Sequence, residues 1–224
     1  MKILIIEDEA PIANFIKISL ESQLYVVDVA RDGERGAFLG RSGGYDLIIL
    51  DYLLPKKNGL EIVKEIRYSK KTPIIMLTVC GDFDCKKQAF DCGIDDFLTK
   101  PFLLEELFLR IRALLRRPPQ ILGDILRVDT LVMNLGRHTV RRKNRIINLT
   151  RKEYAVLEHL MLHRGEIRSR EIIMENAWDI NSDPFSNTLD THIANLRRKI
   201  NPNKEIELIH TFSGQGYKID SKRF

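Results

Sequence analysis

Five polar residues interrupt the sequence where apolar runs stop. Glu7 and Asp8 follow KILII, Asp51 follows LIIL, Thr78 follows IIML, and Lys100 follows DFLT. Carboxylates brought close together repel and need a cation to coexist. An all-oxygen donor set with room for water suits Mg²⁺ (or Mn²⁺). A carboxylate can also accept a phosphoryl group as an acyl phosphate. A lysine beside it would pair with the phosphate charge, and a threonine hydroxyl would donate a hydrogen bond to it. Each residue has an ordinary reading alone: Asp8 could cap a helix near Pro11, Asp51 a turn before Pro55, and Lys100 could be a surface lysine. Their coincidence at four run ends favours one polar pocket built around Asp51.

The elements that must position them alternate. Strand-like runs lie at 2–6, 25–30, 47–50, 74–77 and 96–99, with helical periodicity at 12–22, 59–69 and 104–116. Strands alternating with helices predict an α/β fold, a doubly wound parallel sheet with helices on both faces. Continuous apolar runs suit strands buried on both sides. Such sheets bind ligands beyond the carboxyl ends of their strands, where the five polar residues fall.

The second half reads differently. Short alternating runs across 123–149 predict a small antiparallel sheet. Thr150 and Glu153 form a capping box that opens a helix, which Gly165 ends. A second helix is expected near 169–178. In the third, SNTLDTHIANLRRKI, the residues Leu189, Ile193, Leu196 and Ile200 make a narrow apolar stripe. The opposite side carries Asn187, Thr191, Ala194, Asn195 and Arg198, a slim polar face that suits a DNA major groove, with His192 and Arg197 on its flanks. IELIHTF, SGQG and YKI close the chain as a β-hairpin.

The 36 Lys+Arg and 31 Asp+Glu give a net charge of +5. Residues 1–117 hold 18 basic and 18 acidic residues, and the remainder 18 and 13, so the whole surplus lies in the second half. That asymmetry points to a polyanionic partner for that half. RRPPQI places a linker at 118–122, because Pro118 and Pro119 cannot continue a helix. No apolar run is long enough to span a membrane and no signal peptide pattern opens the chain, so a cytoplasmic protein is expected. Cys80, Cys85 and Cys92 match no zinc spacing and read as reduced thiols, with redox sensing a secondary reading.

The motifs IIEDE, LIILDYLLPKKNGLE, PIIMLT and GIDDFLTKPF resemble the receiver domain of two-component response regulators. The resemblance implies a flavodoxin-like (βα)5 domain over 1–117 in which a sensor histidine kinase phosphorylates Asp51. It implies metal binding by Asp8, Asp51 and the Leu53 backbone carbonyl, with Glu7 acting through water. Thr78 and Lys100 would sense the phosphate, and Phe97 stands where the family has a switch aromatic. Val79 replaces a usually small residue, which implies slower access of water to the phosphoryl group. The resemblance also implies dimerisation on phosphorylation through Lys86, Asp91, Asp95, Asp96, Glu106, Arg110, Arg112 and Arg117, with cross-dimer pairs Lys86–Glu106, Asp96–Arg110 and Asp95–Arg117.

LTRKEYAVLEHL, LDTHIANLRRKI and GQGYKI resemble the α+β winged-helix DNA-binding domain of OmpR/PhoB-type regulators, covering 123–224. The third helix would then read promoter DNA, and the hairpin would be a wing carrying Ser213 where arginine is usual. RNA polymerase is an implied partner. Two other functions fit parts of the pattern. An aspartyl-nucleophile phosphatase of the haloacid dehalogenase type needs a second Asp where this chain has Leu53. A DNA binder with a vestigial receiver would not require the pocket residues. The expectation is therefore a transcriptional regulator and not an enzyme, with at most self-phosphotransfer and autodephosphorylation.

Overall fold

The computed structural model describes residues 1–80, 83–115, 125–180, 189–202 and 205–221. The chain divides into two compact units, built essentially on 2–116 and 117–224.

The first unit holds one five-stranded sheet in the order β2-β1-β3-β4-β5. The strands are β1 (Lys2–Ile6), β2 (Val26–Ala30), β3 (Leu47–Asp51), β4 (Ile74–Thr78) and β5 (Asp96–Thr99). β1 pairs with β3, β3 with β4 and β4 with β5, all parallel. Helices α1 (Ala10–Ser22), α2 (Gly33–Ser42), α3 (Gly59–Arg67), α4 (Phe83–Cys92) and α5 (Leu104–Leu115) alternate with them. Every residue of β1, β3 and β4 is buried, as expected when helices cover both faces. Truncating a residue such as the fully buried Ile49 to Ala would cost about 2–5 kcal/mol. β3 runs one residue further than the apolar run, so Asp51 belongs to the strand, and register rather than a flexible loop fixes it. α3 opens with a capping box between Asn58 and Glu61 that the sequence reading did not single out.

In the second unit β6 (Ile125–Val128), β7 (Leu131–Asn134), β8 (Thr139–Arg142) and β9 (Arg145–Ile146) form an antiparallel meander. Helices α6 (Arg151–Leu162), α7 (Arg170–Ala177) and α8 (Leu189–Ile200) follow, then the antiparallel hairpin of β10 (Ile209–Phe212) and β11 (Gly216–Ile219), a winged helix. The Thr150–Glu153 capping box is present. α6 stops at Leu162, before Gly165, whose φ of +84° lets the chain turn so that its N–H reaches Ile219 O. The apolar stripe of α8 packs as expected, with Leu189, Ile193, Leu196 and Ile200 all buried.

The carboxyl end of α8 is held by arginines from the meander. Buried Arg142 donates to Ile200 O, Ile206 O (2.8 Å) and Asn201, while Arg145 donates to Lys199 O and Ile200 O at 2.8 and 2.9 Å. They satisfy carbonyls that a helix end leaves without partners, and their charge complements the negative end of the helix dipole.

The cysteine expectation is corrected. Cys80 and Cys85 are joined in a disulfide with Cα atoms 6.4 Å apart, and Cys92 is a free thiol. Sequence spacing did not reveal the pair. The close approach arises only because α4 begins at Phe83, just after the end of β4.

Candidate functional site

The parallel register brings the ends of β1, β3 and β5 to one edge. Carboxylate oxygens of Glu7, Asp8 and Asp51 lie within 4.8 Å of one another. Glu7 and Asp51 are buried and Asp8 is exposed. Lys100 reaches across the edge, its Nζ 2.8 Å from Glu7 and 3.1 Å from Asp51. Burial pushes the Glu7 carboxyl above its usual range, partly offset by the hydrogen bond from Lys100. Burial also opposes the Lys100 charge, but the hydrogen bonds to Glu7 and Asp51 outweigh it and hold the ammonium above its ordinary value.

A cleft of about 190 Å³ opens here, lined by Asp8, Glu9, Asp51, Leu53, Val79 and Lys100. Leu53 and Val79 stand exposed at its mouth. The chain leaving β3 is fixed by Tyr52 N–H on Leu77 O and by Gly59 N–H on Tyr52 O, both 2.9 Å. Only glycine fits at 59, since a Cβ there would sit 2.8 Å from Asp51 O. Thr78 is buried, and its Oγ1 accepts the Cys80 N–H at 2.9 Å. With Phe97 it lines a separate narrow crevice rather than the cleft. Phe97 packs edge-on against Phe90 at 5.8 Å between centroids, and the Lys86 ammonium lies 4.6 Å over its ring.

Four of the charged residues expected at a dimer face, Asp95, Asp96, Glu106 and Arg110, have ion-pair partners within the chain. Arg110 grips Asp96 at 2.8 Å and Glu106 at 2.7 Å. Asp95 is bound by Arg67 at 2.6 Å and accepts Ile74 N–H. Asp91 and Arg112 are exposed. Arg117 lies outside the described residues, as do Asn187 and the 118–122 linker.

On α8, Thr191, Ala194 and Arg198 are exposed, and Arg198 donates to Asn195 Oδ1 at 3.1 Å. Ser213 is exposed in the hairpin turn. Two flank residues of this helix make contacts within their own domain. His192 turns inward against Trp178, with centroids 5.5 Å apart, and both its ring nitrogens are buried with no hydrogen-bond partner among the described residues. Arg197 donates to Ile209 O at 2.7 Å and Thr211 Oγ1 at 2.9 Å and pairs with Glu207 at 2.9 Å. Both flank residues are therefore used to seat α8.

Sequence reasoning also missed the group that ties α8 to α7 and the hairpin. Arg170 grips Asp190 through both guanidinium nitrogens at 2.7 and 2.8 Å, and the Tyr217 hydroxyl donates to the same carboxylate. The Arg170 hydrogen bonds, then that of Tyr217, hold the Asp190 carboxyl down at about 2. Gly216 allows the hairpin to approach, because a Cβ there would lie 2.0 Å from Arg168 O. No spacing signal links residues 170, 190 and 217; only a polar residue in the first turn of α8 hinted at it.

Residues 3–112 match the response regulator receiver domain family, and residues 143–219 match the C-terminal domain of transcriptional regulatory proteins. The chain belongs to the two-component response regulators. It pairs a receiver domain with a DNA-binding domain as a transcriptional regulator. It is 39% identical over 217 residues to the response regulator ArlR of Staphylococcus haemolyticus, covering 97% of this chain and 98% of that one. To ArlR of Staphylococcus aureus strain Mu50 it is 40% identical over 218 residues, covering 97% and 99%. Among solved structures, a two-component response regulator from Clostridium difficile aligns with a TM-score of 0.51 at 33% identity, over 52% of this chain and 97% of that one. No described helix is long and apolar enough to cross a membrane.

Proposed function

We propose that Asp51 receives a phosphoryl group from a sensor histidine kinase and that the phosphorylated protein dimerises and binds promoter DNA. One observation carries this: Lys100 spans Glu7 and Asp51 inside a three-carboxylate cluster at the carboxyl edge of the sheet. The Asp51 oxygen attacks phosphorus, the bond from phosphorus to the donor nitrogen breaks, and an acyl phosphate forms. Lys100 keeps its proton and pairs with the new phosphate charge. Thr78 can keep accepting from Cys80 N–H while its own hydroxyl donates to a phosphoryl oxygen. Phe97 shares a crevice with Thr78 and follows its movement. Self-phosphotransfer from small acyl phosphates and slow autodephosphorylation belong to the same chemistry.

The carboxylate cluster fits Mg²⁺ or Mn²⁺, because its donors are hard oxygens close enough to share one ion. Asp8, Asp51 and the Leu53 carbonyl would hold the ion, with Glu7 acting through water. When bound, it would offset carboxylate charge and orient the incoming phosphoryl oxygens.

The receiver, 1–117, would dimerise through α4, β5 and α5, using Lys86, Asp91, Asp95, Asp96, Glu106, Arg110, Arg112 and Arg117. Since Arg110 already holds Asp96 and Glu106, a cross-dimer pair there exchanges an internal partner for an external one and adds little energy by itself. Beyond the 118–122 linker, the domain at 123–224 would read bases with Asn187, Thr191, Ala194, Asn195 and Arg198, and RNA polymerase would be engaged at the promoter. The working compartment is the cytoplasm. The test is radiolabelling by an acetyl phosphate donor with Mg²⁺ and with a chelator. Label that is stable in acid, labile in base and dependent on the ion is expected, and equal labelling without the ion would overturn the metal assignment.

A further inference from the structure

The disulfide lies beside the switch residues. Cys80 N–H holds the Thr78 hydroxyl, and Cys85 sits in the first turn of α4. Both sulfurs, with Thr78, Lys86 and Phe97, line one crevice with only about 10 Å³ of free space, scarcely room for one water. Two unbonded sulfurs need more separation than a bonded pair, so reduction requires the side chains that pack around them to adjust, as well as cutting the link. Both cysteines are partly exposed, within reach of a small oxidant.

We infer that Cys80 and Cys85 form a reversible oxidation site, responsive to hydroperoxides, whose disulfide restrains the Thr78–Phe97 switch and weakens phosphorylation-driven dimerisation. The Cys85 thiolate attacks a peroxide oxygen, the O–O bond breaks, and an alcohol or water leaves with formation of a sulfenic acid. The Cys80 thiolate attacks that sulfur, the S–O bond breaks, and water leaves. Two electrons pass from the thiols to the peroxide, and the two thiol protons end in the released molecules. A dithiol reductant reverses the bond by exchange and is itself oxidised to a disulfide. The restraint follows from connectivity: for Thr78 to turn toward Asp51 and keep its hydrogen bond from Cys80 N–H, Cys80 must move with it, and the cross-link ties Cys80 to α4.

The gating rests on Asp51 being the phosphoacceptor, whereas the oxidation chemistry does not, so the experiment reads them separately. The full-length protein is treated with hydrogen peroxide or a dithiol, denatured, alkylated and digested with trypsin. Cys80 and Cys85 fall together in the peptide 72–86, and Cys92 falls in the next large one. The 72–86 peptide is expected to take two alkyl groups when reduced and none after peroxide, while Cys92 is alkylated in both. Two alkyl groups after peroxide would overturn the site. The two forms are then incubated with acetyl phosphate and Mg²⁺ and sedimented. The oxidised form should dimerise about tenfold more weakly, within the usual range of coupling between sites. The double variant Cys80→Ser with Cys85→Ser should match the reduced protein with or without peroxide. Equal dimerisation of oxidised and reduced protein overturns the gating. If the reduced protein takes no phosphoryl group, the gating falls with the phosphoacceptor reading, while the alkylation pattern still decides the oxidation site.

Discussion

The receiver edge and the exposed face of α8 were both expected from side-chain patterns, yet they differ in how faithfully the side chains arrive. At the edge, Glu7, Asp8, Asp51 and Lys100 converge from the ends of three strands. On α8, Thr191, Ala194 and Arg198 face outward, but His192 and Arg197 turn back into their own domain. A strand end is positioned by hydrogen-bonded register, and a short carboxylate has little freedom to wander from it. A helix flank offers a choice, because a long or aromatic side chain can reach solvent or fold onto a neighbour. The neighbours that decide, Trp178 and the β10 carbonyl of Ile209, are supplied by other elements.

The strongest way to break this contrast is at the edge itself. Asp51→Asn should abolish acid-stable, base-labile labelling from acetyl phosphate, and full labelling in that variant would show that convergence alone does not define the acceptor.

The next effect concerns how the second unit buries a titratable group. His159 is buried in α6 and accepts the Arg168 Nε–H at its Nε2, which requires a neutral ring. Burial first, then the charges of His163 and Arg168, lower its pKa from the ordinary 6.5 to about 4. As pH falls through 6.5, the unfolded chain takes up a proton that the native domain refuses until about 4, so stability declines across that window. The full loss is about 3 kcal/mol. Trp178, the sole tryptophan and buried in this unit, reports it by fluorescence during thermal unfolding. His159→Gln should flatten the profile between pH 6.5 and 4; an unchanged slope would place the sensitivity elsewhere.

Two substitutions on α8 sharpen the distinction between reading and seating. Asn195→Ala should lose about 1–3 kcal/mol of discrimination at one base pair with the salt slope unchanged. Arg197→Ala should instead weaken target and scrambled duplexes alike and lower the unfolding free energy by about 1–2 kcal/mol, since its hydrogen bonds are internal. If Arg197→Ala leaves stability intact and flattens the salt dependence, its guanidinium swings out to phosphate and the contrast fails. The smallest effect is at the hairpin: Ser213→Arg should steepen the salt dependence by about one log–log unit for any duplex. Unmoved binding curves would mean that the hairpin turn does not approach the backbone.

The alternation of apolar runs and helical stretches determined the parallel sheet, because full burial of a strand forces a continuous apolar run. Four of the five polar residues closing those runs, Glu7, Asp8, Asp51 and Lys100, determined the edge cluster, since strand ends share one rim, whereas Thr78 lines a neighbouring crevice. The Thr150–Glu153 box and the α8 stripe were legible for the same reason: local hydrogen bonds and helical periodicity are written in nearby residues. Tertiary structure alone decided the rest. The Cys80–Cys85 bond depends on where α4 starts relative to β4, and the Arg170–Asp190–Tyr217 group joins residues from three elements. Arg142 lies among the basic residues of RRKNR, yet it is buried at the end of α8, where the loose carbonyls of that helix end need donors. Contacts between elements far apart in sequence carry no spacing signature, so only the packed chain could assign these side chains their partners.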